Sequence, residues 1–213
     1  MTQTDELFRY LQENYRENEP IFLSEIDAPD IKPSCVRPLL KKLVDDGRIK
    51  RFDTGIYYVP KKTFFRSGSA LPVESVISKK YLYDQKVRCG YYCGMLLANQ
   101  LGLTTQVPMV FEVITNKATT EYRETQLGNY RVIVKRPCVN VTPENAEVLQ
   151  FLDLLKEVTD ISELNGSELT KKLTGYMKAK GIGFESLKPY LPNYPDKIYR
   201  NMYEVGLLNA VSA

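Results

Sequence analysis

A chain of 213 residues, 43% of them apolar, is long enough for one large domain or two small ones, and no apolar run approaches the roughly 20 residues that a membrane helix needs. It contains no histidine, which removes the commonest general base, the commonest zinc ligand and every Ser-His-Asp or Cys-His nucleophile system. Net charge is only +3 but unevenly spread: residues 1–31 carry two basic and eight acidic side chains, a balance of −6, while residues 32–66 carry ten basic and three acidic, a balance of +7.

The N-terminal MTQTDELFRY lacks the basic-then-apolar order of a secretion signal. A cytoplasmic protein is expected, with no membrane partner and with Cys35, Cys89, Cys93 and Cys138 as free thiols. Thr4 reads as the cap of a first helix over 5–18, with Leu7, Phe8, Leu11 and Tyr15 as its buried stripe. Glu19-Pro20 ends it. Ile21-Phe22 reads as a short strand, and Ser24 as the cap of a short helix near 25–27.

Ala28-Pro29-Asp30 turns the chain into its organising stretch, 31–60. Val36, Leu39, Leu40, Leu43 and Val44 recur at the helical period. With that stripe facing a core, Ser34, Pro38, Lys41 and Lys42 point outward and Arg37 lies on the flank. Pro38 conflicts with a helix interior, so the helix is expected to start late, near 34–36, or to bend. Gly47 suits the helix C-terminus. Residues 48–52 and 56–59 read as strands joined by Asp53-Thr54-Gly55.

A helix with a basic outer face, followed by a basic ribbon, predicts a winged helix-turn-helix that binds double-stranded DNA. Ser34, Arg37, Lys41 and Lys42 would face the major groove. Lys50, Arg51 and Thr54 would hold phosphates or the minor groove from the ribbon, and Lys32 and Lys61 would contact the backbone. A solvated charged surface is the competing reading.

Residues 63–71 read as a linker. Beyond it a helix is expected over 72–80, a second over 90–101 (GYYCGMLLANQL), and strands over 109–115, 122–126 and 130–135. Thr142 reads as the cap of a helix over 143–158 with proline at its first position, and 167–180, 184–190 and 195–205 form a helical tail. The predicted fold class is α+β: a winged helix over 1–62 and a mixed α/β domain over 72–213.

No constellation for catalysis, a metal or a cofactor is found, so no enzyme is expected. Cys89 and Cys93 would lie one turn apart on a helix, but two cysteines do not close a tetrahedral site, and they read as buried apolar residues. The tyrosines at 81, 83, 91, 92, 190, 194, 199 and 203 fit core and interface packing, with a base-stacking platform as the alternative. Lys171, Lys172, Lys178 and Lys180 read as a basic stripe, either a solvated helix face or a surface for RNA, DNA or an acidic protein.

Residues 89–108, CGYYCGMLLANQLGLTTQVP, together with the ribbon end Gly55-Ile56-Tyr57-Tyr58-Val59-Pro60, resemble AbiEi-type antitoxins of bacterial type IV toxin–antitoxin (abortive infection) systems. The resemblance runs in order over about 5–160 and is most specific at Gly102-Leu103-Thr104-Thr105-Gln106-Val107-Pro108. It implies a repressor that binds inverted repeats upstream of its own operon, as a possible homodimer on DNA. It also implies a C-terminal domain that counters a nucleotidyltransferase-like toxin, directly or indirectly. The four tail lysines are then candidate toxin-neutralising residues. A winged-helix regulator with a small-ligand-sensing C-terminal domain is the alternative.

Overall fold

The structure is a computed structural model of the chain, and residues 2–62 and 68–210 are described. The fold is α+β and divides into two compact units, Met1–Lys79 and Lys80–Ala213. Among the described residues no helix is long and apolar enough to cross a membrane.

The N-terminal unit opens with α1, Gln3–Asn14, which begins earlier than expected because Thr2, not Thr4, is its cap. The Thr2 hydroxyl accepts from the Asp5 amide while the Asp5 carboxylate accepts from the Thr2 amide, so two end groups are satisfied together. Thr4 is buried inside the first turn. The helix stops at Asn14, and the Tyr15 hydroxyl donates to the Glu25 carbonyl. Next come β1 (Ile21–Phe22) and a 3-10 turn over Leu23–Glu25, slightly earlier than the short helix expected at 25–27.

Helix α2 runs Pro33–Asp45 with Lys32 as its cap, so it starts at a proline rather than late. Proline suits that first position because the amide it lacks has no helical partner there. Pro38 lies inside the helix. The carbonyl it deprives of a donor belongs to Ser34, on the exposed face where water can replace it.

Strands β2 (Lys50–Asp53) and β3 (Ile56–Tyr58) follow, and the sheet order is β1-β3-β2, all antiparallel. The hairpin loop is Thr54-Gly55, with Gly55 at φ 75°, and a register shift between Arg51 and Asp53 marks a bulge. Leu7, Leu11, Ile21, Val36, Leu40, Leu43, Ile49 and Tyr57 share one core. Leu40 is fully buried in it, and its truncation to Ala would cost about 2–5 kcal/mol.

Of the stretch read as a linker, 63–67 lie outside the described residues, as does Arg66 of the basic segment. The two sides of that gap meet: the Ser69 amide donates to the Lys61 carbonyl and the Lys61 amide to the Ser69 hydroxyl. Helix α3, Val73–Ile77, comes next. Just after it, Lys79 Nζ donates to the Pro20 carbonyl at 2.8 Å, pairs with Glu19 and Glu25, and lies over the rings of Tyr15 and Phe22. Those bonds fix this segment to the N-terminal unit, and the change of unit comes between Lys79 and Lys80.

In the C-terminal unit a short antiparallel hairpin, β4 (Tyr83–Asp84) with β5 (Val87–Arg88), comes first. GYYCGMLLANQL is not one helix. It is strand β6 (Gly90–Cys93) followed by helix α4 (Gly94–Gln100). A Cβ on Gly90 would stand 2.7 Å from the carbonyl oxygens of Ile114 and Tyr81, so only glycine lets the neighbouring strand come so near. Gly94, at φ 63°, turns the chain from strand to helix. Cys89 and Cys93 are both buried, but about 13 Å of extended chain separates them rather than one helical turn.

Strands β7 (Val110–Thr115), β8 (Tyr122–Leu127) and β9 (Tyr130–Lys135) complete a four-stranded sheet in the order β6-β7-β9-β8. The β7–β9 pair is parallel and the other two pairs are antiparallel. Helix α5, Ala146–Ile161, begins three residues later than predicted, with Asn145 rather than Thr142 as the residue before it, directly after the turn in which Thr142 and Asn145 each accept from the other's amide. Its Leu149, Phe151, Leu152 and Leu155 pack with Tyr91, Cys93 and Ile114 of the sheet. The tail is α6 (Gly166–Lys180), α7 (Phe184–Leu187), α8 (Lys197–Glu204) and α9 (Leu207–Ala210).

Candidate nucleic-acid interface

The buried stripe of α2 decides what its other side shows. Val36, Leu40 and Leu43 face the core, and Lys32, Ser34, Arg37, Pro38, Lys41 and Lys42 are all exposed. At about 100° per residue, Ser34, Pro38, Lys41 and Asp45 fall along one line, with Arg37 and Lys42 on either side of it. The acidic Asp45 closes that line at the C-terminal end, so the positive part of the face is its first three turns.

Two other cations of this unit are already engaged. Arg48 is paired with Asp5 at 2.9 Å and lies 4.1 Å over the Phe8 ring, and Lys79 is held as described above. Hydrogen bonds from Thr2 and Arg48 hold the Asp5 carboxyl below its ordinary value, at about 2. By contrast, among the described residues Lys32, Arg37, Lys41 and Lys42 have no ion-pair or side-chain hydrogen-bond partner. The first turn of α2 also holds no acidic residue and has no side-chain cap, so the positive helix end meets no compensating charge of its own.

The ribbon residues separate into two kinds. Arg51 and Thr54 are exposed and joined to each other. Lys50 is half-buried, and its Nζ donates to the Ser69 carbonyl at 3.4 Å. It is therefore partly committed within the unit, which sequence spacing did not reveal. The Lys61 side chain is exposed, and its amide is tied to Asn18 and Ser69.

The tail lysines do not form a single stripe. Lys171 and Lys178 lie seven residues apart on one side of α6, Lys172 is about 100° round from Lys171, and Lys180 is about 180° round. Lys180 turns back toward the core and pairs with Glu147 at 3.2 Å. Glu147 is also bonded to Arg88.

Sequence reasoning passed over a buried polar cluster in this unit. Asp153, 4% exposed, accepts from the hydroxyls of Tyr91 at 2.7 Å and Tyr194 at 3.2 Å, and from Lys156 at 2.9 Å. Burial, reinforced by the Asp153 charge, pushes both tyrosine hydroxyls far above their ordinary value. The signal was a lone carboxylate in the apolar run Phe151-Leu152-Asp153-Leu154-Leu155. With its donors supplied, this cluster has the character of a structural network. Among the described residues no group of three or more Cys, Asp or Glu is placed to hold a metal ion.

No curated protein matches the chain. A family model matches residues 24–173, a span that takes in α2, the ribbon, the whole four-stranded sheet and Lys171 and Lys172, and stops before Lys178 and Lys180. The chain belongs to DUF6088, a family of unknown function.

Proposed function

We propose that the N-terminal unit is a winged helix-turn-helix that binds double-stranded DNA, and that the whole chain is a non-enzymatic antitoxin that represses its own operon. The observation that carries the DNA reading is the row of unpartnered cations, Lys32, Arg37, Lys41 and Lys42, on the exposed side of α2. Unsatisfied positive charge concentrated on one helix, beside an exposed ribbon tip, suits a groove lined with phosphates. Arg37 and Lys41 reach base edges, Ser34 hydrogen-bonds beside them, and Arg51 with Thr54 holds the flanking backbone.

The antitoxin part rests on the resemblance of 89–108 and of the ribbon end to AbiEi-type antitoxins. The partner it implies is a nucleotidyltransferase-like toxin, with Lys171 and Lys178 as the tail cations left facing outward.

The test is a gel shift at fixed salt with the DNA upstream of the protein's own gene. Arg37→Ala combined with Lys41→Ala weakens binding by about 1–3 kcal/mol for each base-reading side chain removed, with an unchanged melting temperature. Binding equal to that of the unmodified protein refutes the assignment.

A further inference from the structure

Helix α2 carries a residue that its own stability does not call for. Pro33 begins the helix, where the amide that proline lacks has no helical partner. Pro38 lies in the interior, where proline destabilises a helix more than any other residue does. Packing does not offset this. Pro38 is exposed, and it belongs neither to the core of the N-terminal unit nor to the side chains packed against that core.

Its surroundings on the helix are charged. At about 100° per residue, Ser34 lies one turn before Pro38, Lys41 and Lys42 lie one turn after it on either side, and Arg37 is on its flank. The ring is thus an apolar group set among a hydroxyl and three cations, and among the described residues those cations have no ion-pair or side-chain hydrogen-bond partner. The cations call for a polyanion. In the major groove of DNA, the apolar group that a polyanion offers is the C5 methyl of thymine. A-form RNA has neither that methyl nor a major groove that side chains can read. The proline ring also has no rotamers to lose, so contact with it costs no side-chain freedom.

We infer that Pro38 is a base-reading residue whose ring packs against the C5 methyl of a thymine in the major groove. The inference rests on the DNA-binding reading above and adds to it the base that the middle of α2 prefers. Arg37 and Lys41 read polar base edges beside the ring, and Pro38 supplies the apolar contact between them.

The experiment uses the full-length chain, unmodified or carrying Pro38→Gly, and the duplex from upstream of its gene. Each thymine in the footprinted site is replaced singly by deoxyuridine, which removes the methyl group alone. Affinity is read by fluorescence anisotropy at fixed salt. Replacement at one or more thymines is expected to weaken the unmodified chain by about fourfold, the worth of one buried methyl-sized group. Pro38→Gly is expected to bind the thymine and deoxyuridine duplexes alike, at the weaker level, with a melting temperature no lower than that of the unmodified chain because glycine costs a helix less than proline. An unmodified chain that binds every deoxyuridine duplex as tightly as the thymine duplex overturns the contact and leaves the DNA reading standing. A deoxyuridine effect of equal size in Pro38→Gly overturns the assignment to Pro38. Absence of any binding to the upstream duplex overturns the DNA reading and this inference with it.

Discussion

Arg51 reaches round the hairpin turn so that its guanidinium donates to the Thr54 hydroxyl at 3.0 Å and to the Asp53 carbonyl at 3.2 Å. The bulge in this strand and the two-residue loop bring the three groups together. The ribbon tip thus carries an oriented cation rather than a freely swinging one, and in the proposed DNA complex less side-chain freedom is lost when a phosphate arrives.

Salt dependence tests that arrangement. Each cation that neutralises a phosphate adds about 0.9 to the slope of log affinity against log salt. Arg51→Ala is expected to lower the slope by about that amount while leaving sequence preference intact. Arg37→Ala is expected to relax preference as well. Fluorescence anisotropy across a salt series on operator and scrambled duplexes separates the two, and an unchanged slope for Arg51→Ala removes Arg51 from the interface.

Acid should act on the helix cap of the N-terminal unit. The Asp5 carboxyl sits at about 2 against an ordinary 3.8. A depressed folded-state value gives stability that is complete above the ordinary value and is lost as pH falls through 3.8 toward 2. Asp5→Asn is therefore expected to lower the melting temperature near neutral pH and to flatten its decline between about pH 4 and pH 2. Parallel declines for the two proteins would show that Asp5 does not couple to folding.

The approach of β6 to its neighbours predicts a steric penalty. Gly90→Ala puts a methyl group against two backbone carbonyls that cannot rotate away, and overpacking of this kind costs about 1–3 kcal/mol. Gly175→Ala, at a helical site with open space around it, is expected to be neutral or slightly stabilising. Urea denaturation of the two variants makes the comparison, and equal midpoints would refute it.

The Asp153 cluster predicts an unequal pair of substitutions. Tyr91→Phe deletes the shorter bond to a buried carboxylate and should cost about 1.5–3 kcal/mol, the range for hydrogen bonds to charged groups. Tyr194→Phe deletes the longer one and should cost less. The same denaturation measurement ranks them, and the reverse order would mean that the two bonds are misassigned.

Local pattern made some of this readable and distance hid the rest. The stripe Val36–Leu40–Leu43 placed the outer residues of α2 correctly, because a helix fixes its faces from its own sequence. GYYCGMLLANQL misled because small and apolar residues suit a buried helix as well as a strand. Its pairing with Glu112–Thr115, some twenty residues on, leaves no local trace. The engagement of Lys50 by Ser69 and of Lys180 by Glu147 is equally invisible to spacing. Both lysines read as free surface charge, and only folding brings their partners to them from distant parts of the chain.

The paired hydrogen bonds between Lys61 and Ser69 hold positions 61 and 69 of the N-terminal unit together. Lengthening a connection whose ends are already joined costs little. A fluorescent or affinity module spliced between 62 and 68 should therefore leave the core of the N-terminal unit as it is.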